Sequence, residues 1–179
     1  MTEPTSKRVV FDTNALFHVP VRSMLEHLSQ ARAFEPLWSA RTVEELRGVL
    51  AARGRAGADG FFAQFPHSAI VHQADPREDA RLRGFRDPGD LHVVQAAISA
   101  GAAQIVTDNA RDFPSRLLSA LGVARWGVDA FFANELSALP VNKKGPNCEP
   151  EGLRRAGLTR TARQLVRMNE AHTRTSSQT

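Results

Sequence analysis

Short apolar runs that close on acidic or turn-forming residues alternate with segments of helical spacing through most of this chain, and that alternation is the tightest constraint on its fold. The first run, Val9-Val10-Phe11, closes on Asp12-Thr13-Asn14. Three apolar residues in a row, without polar alternation, predict a strand buried on both faces over Arg8 to Asp12. Apolar side chains at Val21, Met24, Leu25, Leu28 and Ala31 follow a helical period and predict a helix over residues 21–34. Leu37-Trp38 predicts a short strand. Ser39 is placed to cap a helix over residues 40–53, whose Val43, Leu46, Val49 and Leu50 share a face and which ends in a Gly-rich patch at 54–60. Ser68 to His72 predicts a strand, and residues 76–85 a helix opening at Pro76. Asp87-Pro88-Gly89-Asp90 is a turn feeding a helix to Ala100, with Gly101 as its stop. Gln104 to Thr107 and Val123 to Trp126 predict strands; 114–121 and 128–138 predict helices. This order predicts an α/β chain, a three-layer α/β/α sandwich around a central, mainly parallel sheet, with a C-terminal helical extension.

The expected organisation is a domain over residues 1–139, a linker over 140–150 rich in Pro, Lys, Asn and Gly, and a basic extension over 151–179. Leu153, Leu158, Leu165, Val166 and Met168 predict one helix over 151–170, and the polar end from Thr173 to Thr179 predicts fraying. Hydrophobic residues make up 42% of the chain, enough for a sizeable core. No apolar run approaches the ~20 residues of a membrane helix, and the first eight residues lack the apolar segment of a signal peptide. The expectation is a cytoplasmic protein with no membrane contact. The lone Cys148 rules out an internal disulfide and a Cys-rich zinc site. His18, His27, His67, His72 and His92 show no metal-ligand spacing either.

Charge is unevenly placed. The whole chain carries +4, yet residues 1–140 hold 15 Lys/Arg against 16 Asp/Glu, and residues 141–179 hold 8 against 3. The excess positive charge therefore belongs to the tail. A basic binding surface on the main body would need uneven placement of arginines such as Arg47, Arg53, Arg55, Arg77, Arg81, Arg83 and Arg86, each of which could equally be a solvated helix-face residue.

Ligands of open parallel sheets bind outside the carboxyl ends of the strands. Asp12 ends the first strand; Asp108 and Asp112 follow Ile105-Val106-Thr107; Asp90 opens one helix and Glu45 lies within another. Carboxylates gathered without charge partners repel one another, and hard, oxygen-preferring Mg²⁺ or Mn²⁺ would neutralise them. Each acid also has a plain structural reading. Asp12 could be a turn residue. Thr42-x-x-Glu45 matches a helix capping box, although Ser39 is an equally good cap and would leave Glu45 inside the helix. Asp87 could cap the following helix with Asp90 as an acid in its first turn, Asp112 could cap the helix near Pro114, and Asp108 could be a solvated loop acid. Glu44 lies about 100° around the helix from Glu45.

Three stretches together resemble the PIN-domain nucleases, and are closest to the VapC-like toxins of bacterial toxin–antitoxin pairs: Val9 through Leu16; Trp38-Ser39 through Glu45-Leu46; and Asp87-Pro88-Gly89-Asp90-Leu91-His92 with Ala96-Ala97, Gly101-Ala102 and Ile105 through Pro114. The resemblance covers about residues 8–138. It implies a small α/β/α sandwich whose carboxylates bind Mg²⁺ or Mn²⁺ and cleave single-stranded RNA. Asp12, Glu45 and Asp90 match the first three acids of the family and Asp112 the more variable fourth. Asn14, Thr107 and Asn109 match polar positions that shape the site. The resemblance further implies a homodimer and a cognate antitoxin partner. Phe61, Phe62 and Phe65 could supply an exposed apolar contact patch or could be core. His92 reads as a partly buried packing residue. The rival functions are a non-catalytic RNA- or protein-binding module of the same fold, and a phosphatase with an aspartate after its first strand. The phosphatase chemistry needs a second Asp where this chain has Asn14. The basic extension could bind RNA, pack on the domain or contact an antitoxin.

Overall fold

A computed structural model describes residues 7–66, 69–72, 79–140 and 145–176. Strand β1 (Arg8–Phe11) occupies the middle of a five-stranded sheet. Val9, Val10 and Phe11 are all fully buried, which requires cover on both faces and accounts for their unbroken apolar run. Strands β2 (Glu35–Ser39) and β4 (Gln104–Val106) flank β1; β3 (Ile70–Val71) lies outside β2 and β5 (Ala124–Trp126) outside β4. Every pairing is parallel, with Val10 opposite Leu37 on one side and Ile105 on the other. The order β3-β2-β1-β4-β5 means that the chain builds outward from β1 in one direction and then crosses over to build the other half. The carboxyl ends of β1 and β4 flank that reversal, where connecting loops diverge and leave a crevice.

Helices α1 (Val19–Gln30), α2 (Ala40–Ala52), α3 (Ala58–Phe62), α4 (Leu91–Ala100), α5 (Ser115–Ala120) and α6 (Val128–Ala138) surround the sheet. The α/β/α class and the parallel sheet are as the sequence predicts. Pro20 in the first turn lets α1 start two residues earlier than its apolar period suggests. Ser39 does cap α2, its Oγ accepting from Thr42 N at 3.0 Å, and Glu45 consequently lies within the helix rather than in a capping box.

Three expectations need correction, and one choice left open is decided. Residues 76–85 do not form the predicted helix: 76–78 lie outside the described residues, and the remainder holds a single 3-10 turn, Ala80–Leu82. The Asp79 carboxylate bonds both the backbone N–H and the guanidinium of Arg81, giving the backbone a local alternative to helix. Within the Gly-rich patch, residues from Ala58 onward are helical (α3). Phe61 and Phe62 are buried and Phe65 half-buried, all three packed on the Trp38 ring with centroids 4.9 to 5.8 Å away, so they are core and not an exposed patch. Residues 151–170 are two helices, α7 (Pro150–Arg155) and α8 (Thr159–Ser176). Between them Leu158 N donates to Leu153 O and Gly157 N to Arg154 O, with Gly157 at φ +82°. That left-handed residue ends α7, and buried Leu153 and Leu158 close the turn. The predicted strand at Ser68 to His72 is found as β3; Ser68 itself lies outside the described residues.

The extension packs on the domain. Leu153, Leu158, Ala162, Leu165 and Met168 join the same core as the sheet, and α8 lies along α6. The Asp129 carboxylate at the start of α6 accepts from Arg160 N, Thr161 N and Thr161 Oγ1 at 2.8 to 3.0 Å, so α8 begins where α6 begins. Among the described residues no helix is long and apolar enough to cross a membrane.

Candidate active site

The loops leaving β1 and β4 interlock through hydrogen bonds. Asp12 follows β1, is 4% exposed, and ends the strand by accepting from Thr13 N at 2.7 Å, which starts a 3-10 turn over Thr13–Leu16. Its other oxygen accepts from Asn14 Nδ2 at 2.6 Å and Thr107 Oγ1 at 2.7 Å. Thr107 Oγ1 in turn accepts from Asn109 N at 3.0 Å, and Asn109 Nδ2 donates to Asp90 Oδ2 at 3.0 Å. The three polar residues singled out in sequence, Asn14, Thr107 and Asn109, therefore form one chain of bonds from Asp12 to Asp90. The turn reading of Asp12 and the site reading are both realised in one side chain.

Asp90 itself takes the N-cap position of α4, with no side-chain cap bond, so it is not a first-turn acid of a helix capped by Asp87. Burial, followed by the charges of Asp12, Asp87 and Asp112, pushes its carboxyl up to about 6. Burial also raises Asp12, against the lowering effect of its bonds from Thr107 and Thr13. Glu45 goes the other way. Burial would raise it, but hydrogen bonds from His92, Thr13 and Arg41 and the charge of His92 together hold it down at about 2. Its Oε2 accepts from Thr13 Oγ1 at 2.6 Å and its Oε1 from Arg41 Nε at 2.9 Å.

Two residues of this end were passed over by sequence reasoning. Asp87 reads there as a turn or cap acid. In the structure Asp87, Asp90 and Asp112 each offer a carboxylate oxygen, and these oxygens lie within 4.8 Å of one another. The tight turn brings Asp87 back: its Oδ1 accepts from Gly89 N at 2.7 Å, and a Cβ on Gly89 would sit 2.9 Å from that oxygen, which only glycine avoids. Two acids three residues apart across a Pro-Gly turn were the available signal. The other is His92, buried beside the site. Its Nδ1 bonds Ser39 Oγ at 2.6 Å, and its Nε2 lies 3.4 Å from Glu45 Oε1. Ser39 thus caps α2 and braces the ring that faces Glu45. Two remaining readings resolve. Asp108 is exposed but not idle, because its Oδ1 accepts from Val128 N at 2.9 Å and caps α6. Asp112 does not cap α5, whose first residue follows Pro114 without a side-chain cap. Glu44 is exposed.

The donor set consists of carboxylate oxygens at a sheet end, which suits a hard divalent cation. With one carboxylate oxygen from each within 4.8 Å of the others, Asp87, Asp90 and Asp112 could together hold one such ion. Carboxylates that repel one another become favourable ligands once a cation enters.

A family model described as "PIN domain" matches residues 8–111, a span that contains β1 through the start of the Asp112 loop. Neither the curated proteins nor the solved structures give a significant match.

Proposed function

The chain belongs to the PIN-domain family, and on that premise we propose that it is a metal-dependent endoribonuclease that cleaves single-stranded RNA, acting as the toxin of a type II toxin–antitoxin pair. PIN domains are, as a class, metal-dependent nucleases. The observation that carries the reading is the cluster of Asp87, Asp90 and Asp112 at the sheet end, whose carboxylate oxygens lie within 4.8 Å of one another. Such a group is costly in a folded protein unless a cation is its purpose.

In this reading Asp12, Asp90 and Asp112 hold Mg²⁺ or Mn²⁺, joined by Asp87. The cation, when bound, supplies Lewis acidity toward the phosphate oxygens and toward water. Glu45, held ionised near 2, accepts a hydrogen bond from the attacking water and orients it; with so low a value it is a poor proton acceptor. Asn14, Thr107 and Asn109 fix the carboxylates of Asp12 and Asp90 in place. The water oxygen bonds to phosphorus as the P–O bond to a ribose oxygen breaks, the water giving up a proton to solvent and the departing ribose oxygen taking one from it, without a covalent enzyme intermediate. A homodimer, a cognate antitoxin and a cytoplasmic site of action complete the proposed role.

The test is cleavage of single-stranded RNA with Mg²⁺ or Mn²⁺ by the purified full chain. Activity that survives Asp12→Asn combined with Asp90→Asn, or survives excess chelator, would overturn the mechanism. Binding without cleavage under any divalent ion would favour the non-catalytic module instead.

A further inference from the structure

A second feature lies away from the acids. Between α6 and α8 runs an open groove of about 360 Å³, lined by Trp126, Asn134, Arg160, Arg163, Gln164 and Arg167 among others. The three arginines recur at intervals of three and four residues, so they line one face of α8, spanning ~10 Å. All three are exposed. Among the described residues none of them has a carboxylate at ion-pair distance, whereas Arg154, Arg155 and Arg174 on the same extension pair with Glu151 or Glu170. The acids beside the groove are engaged elsewhere. Asp129 accepts the N-terminus of α8, and Glu135 is bonded by Lys7 and Asn134. The groove is therefore a stripe of uncompensated positive charge.

Its position relative to the acids is set by the backbone. Trp126, half-buried at one end of the groove, accepts from Thr107 N at 2.9 Å through its carbonyl, and Thr107 Oγ1 bonds Asp12. The groove thus starts beside the acidic end and runs away from it along α6 and α8.

We propose that the α6–α8 groove is a second binding site, a track for the sugar–phosphate backbone of a single-stranded nucleic acid. Guanidinium forks match phosphate oxygens two at a time, and Asn134 and Gln164 add neutral donors. The Trp126 ring offers a face on which a base stacks, a combination that marks single-strand sites and that an acidic peptide would not use. The proposal rests on the nuclease reading for its purpose, holding the strand whose neighbouring stretch reaches the acids, but its binding is measurable without cleavage.

The experiment is fluorescence anisotropy of a labelled 12-mer single-stranded RNA with full-length protein in excess chelator, across a salt series. Arg160→Ala, Arg163→Ala and Arg167→Ala are combined in one variant and compared with the parent chain. The expected result is about tenfold or greater weakening at low salt, and a log-affinity against log-salt slope shallower by about 2, the release expected of three phosphate contacts on a single strand. Trp126→Leu is expected to weaken binding by about fivefold, with Trp126→Phe restoring most of it. Equal affinity and equal slope in the triple variant would overturn the proposal, as would a poly-glutamate peptide that binds the parent chain while RNA does not. The two readings fail separately: an unmodified chain that never cuts RNA with Mg²⁺ or Mn²⁺ sinks the nuclease reading, while the titration in chelator still decides the groove.

Discussion

The carboxyl end of the sheet and the groove between α6 and α8 are adjacent yet built on opposite rules. At the sheet end, like charges are crowded together and braced by a chain of hydrogen bonds from Asp12 through Thr107 and Asn109 to Asp90, and burial pushes the Asp12 and Asp90 carboxyls up. In the groove, like charges are exposed on a helix face and have no ion-pair partner among the described residues, and solvent screens them. Rigid, desolvated charge suits a small ion whose ligands must hold fixed positions. Solvated, flexible charge suits a long polyanion whose contacts shift as it slides. The contrast extends within the acidic end itself. Glu45 has Arg41, Thr13 and His92 as partners and is held at about 2, while Asp90 faces mainly other acids and is pushed up to about 6.

The sharpest way to break that contrast is to remove one charge from the acidic end. Asp90→Asn is expected to lower RNA cleavage on the order of 10³-fold and to abolish the rise in melting temperature that Mn²⁺ or Mg²⁺ produces, while RNA binding in chelator persists. A metal-dependent stabilisation that survives the substitution would place the cation elsewhere. Next in size is His92. His92→Ala is expected to reduce kcat by about 10- to 100-fold with KM little changed, because the ring positions Glu45 and does not touch substrate. His92→Gln, which keeps a donor toward Glu45, should recover part of the loss; equal defects in both variants would make the residue merely structural.

On the groove side, Asp129→Ala removes the carboxylate that receives the start of α8, and should cost about 2 kcal/mol in unfolding free energy by denaturant titration. A change within error would show that α8 is held by its apolar face alone.

A smaller effect concerns pH. Asp90 binds its proton more tightly folded than unfolded, so metal-free protein is expected to lose stability as pH rises from about 4 to 6. Asp12, also raised, acts in the same direction. Glu45 contributes the opposite slope, its stabilisation fading only as pH falls from about 4.5 toward 2. Melting in chelator should therefore peak near pH 4 to 5. The stabilisation gained from Mn²⁺ should grow from pH 5 to 7.5, with about 1 kcal/mol of it traceable to Asp90 after solvent screening of this half-exposed group. A metal-induced shift that is flat with pH would contradict the clustered acids. Smallest of all, Glu44→Gln leaves cleavage unchanged, since this exposed neighbour of Glu45 projects from another face of α2.

Much of this architecture was legible without coordinates. Buried parallel strands read as apolar runs, so β1 and β4 and the acids that follow them could be located directly. Helices with a strong period, such as α1 and α2, were equally plain. Elements whose form depends on local competition were not. Asp79 and Arg81 favour a turn over a helix; Gly157 divides what its apolar period presents as one helix. The Phe61, Phe62 and Phe65 cluster was ambiguous because exposure is decided by Trp38, a partner 23 or more residues away in the chain.

The candidate site divides in the same way. Asp12, Glu45, Asp90 and Asp112 stood out by residue type and by position relative to strand ends. Asp87 and His92 did not, because their roles depend on a turn that folds one carboxylate back and on a serine that braces a ring from another element.

From the order of residues alone came the α/β class, the parallel sheet, the acids at the strand ends and the concentration of positive charge in the tail, since periodicity and charge are properties of the chain itself. Only the tertiary structure decided which acids meet, which of them are starved of counter-charge, and that α8 lies along α6 to turn a basic tail into a groove. Those are matters of distance between segments remote in sequence, and distance, with the burial that accompanies it, is what sets the energy of a charge.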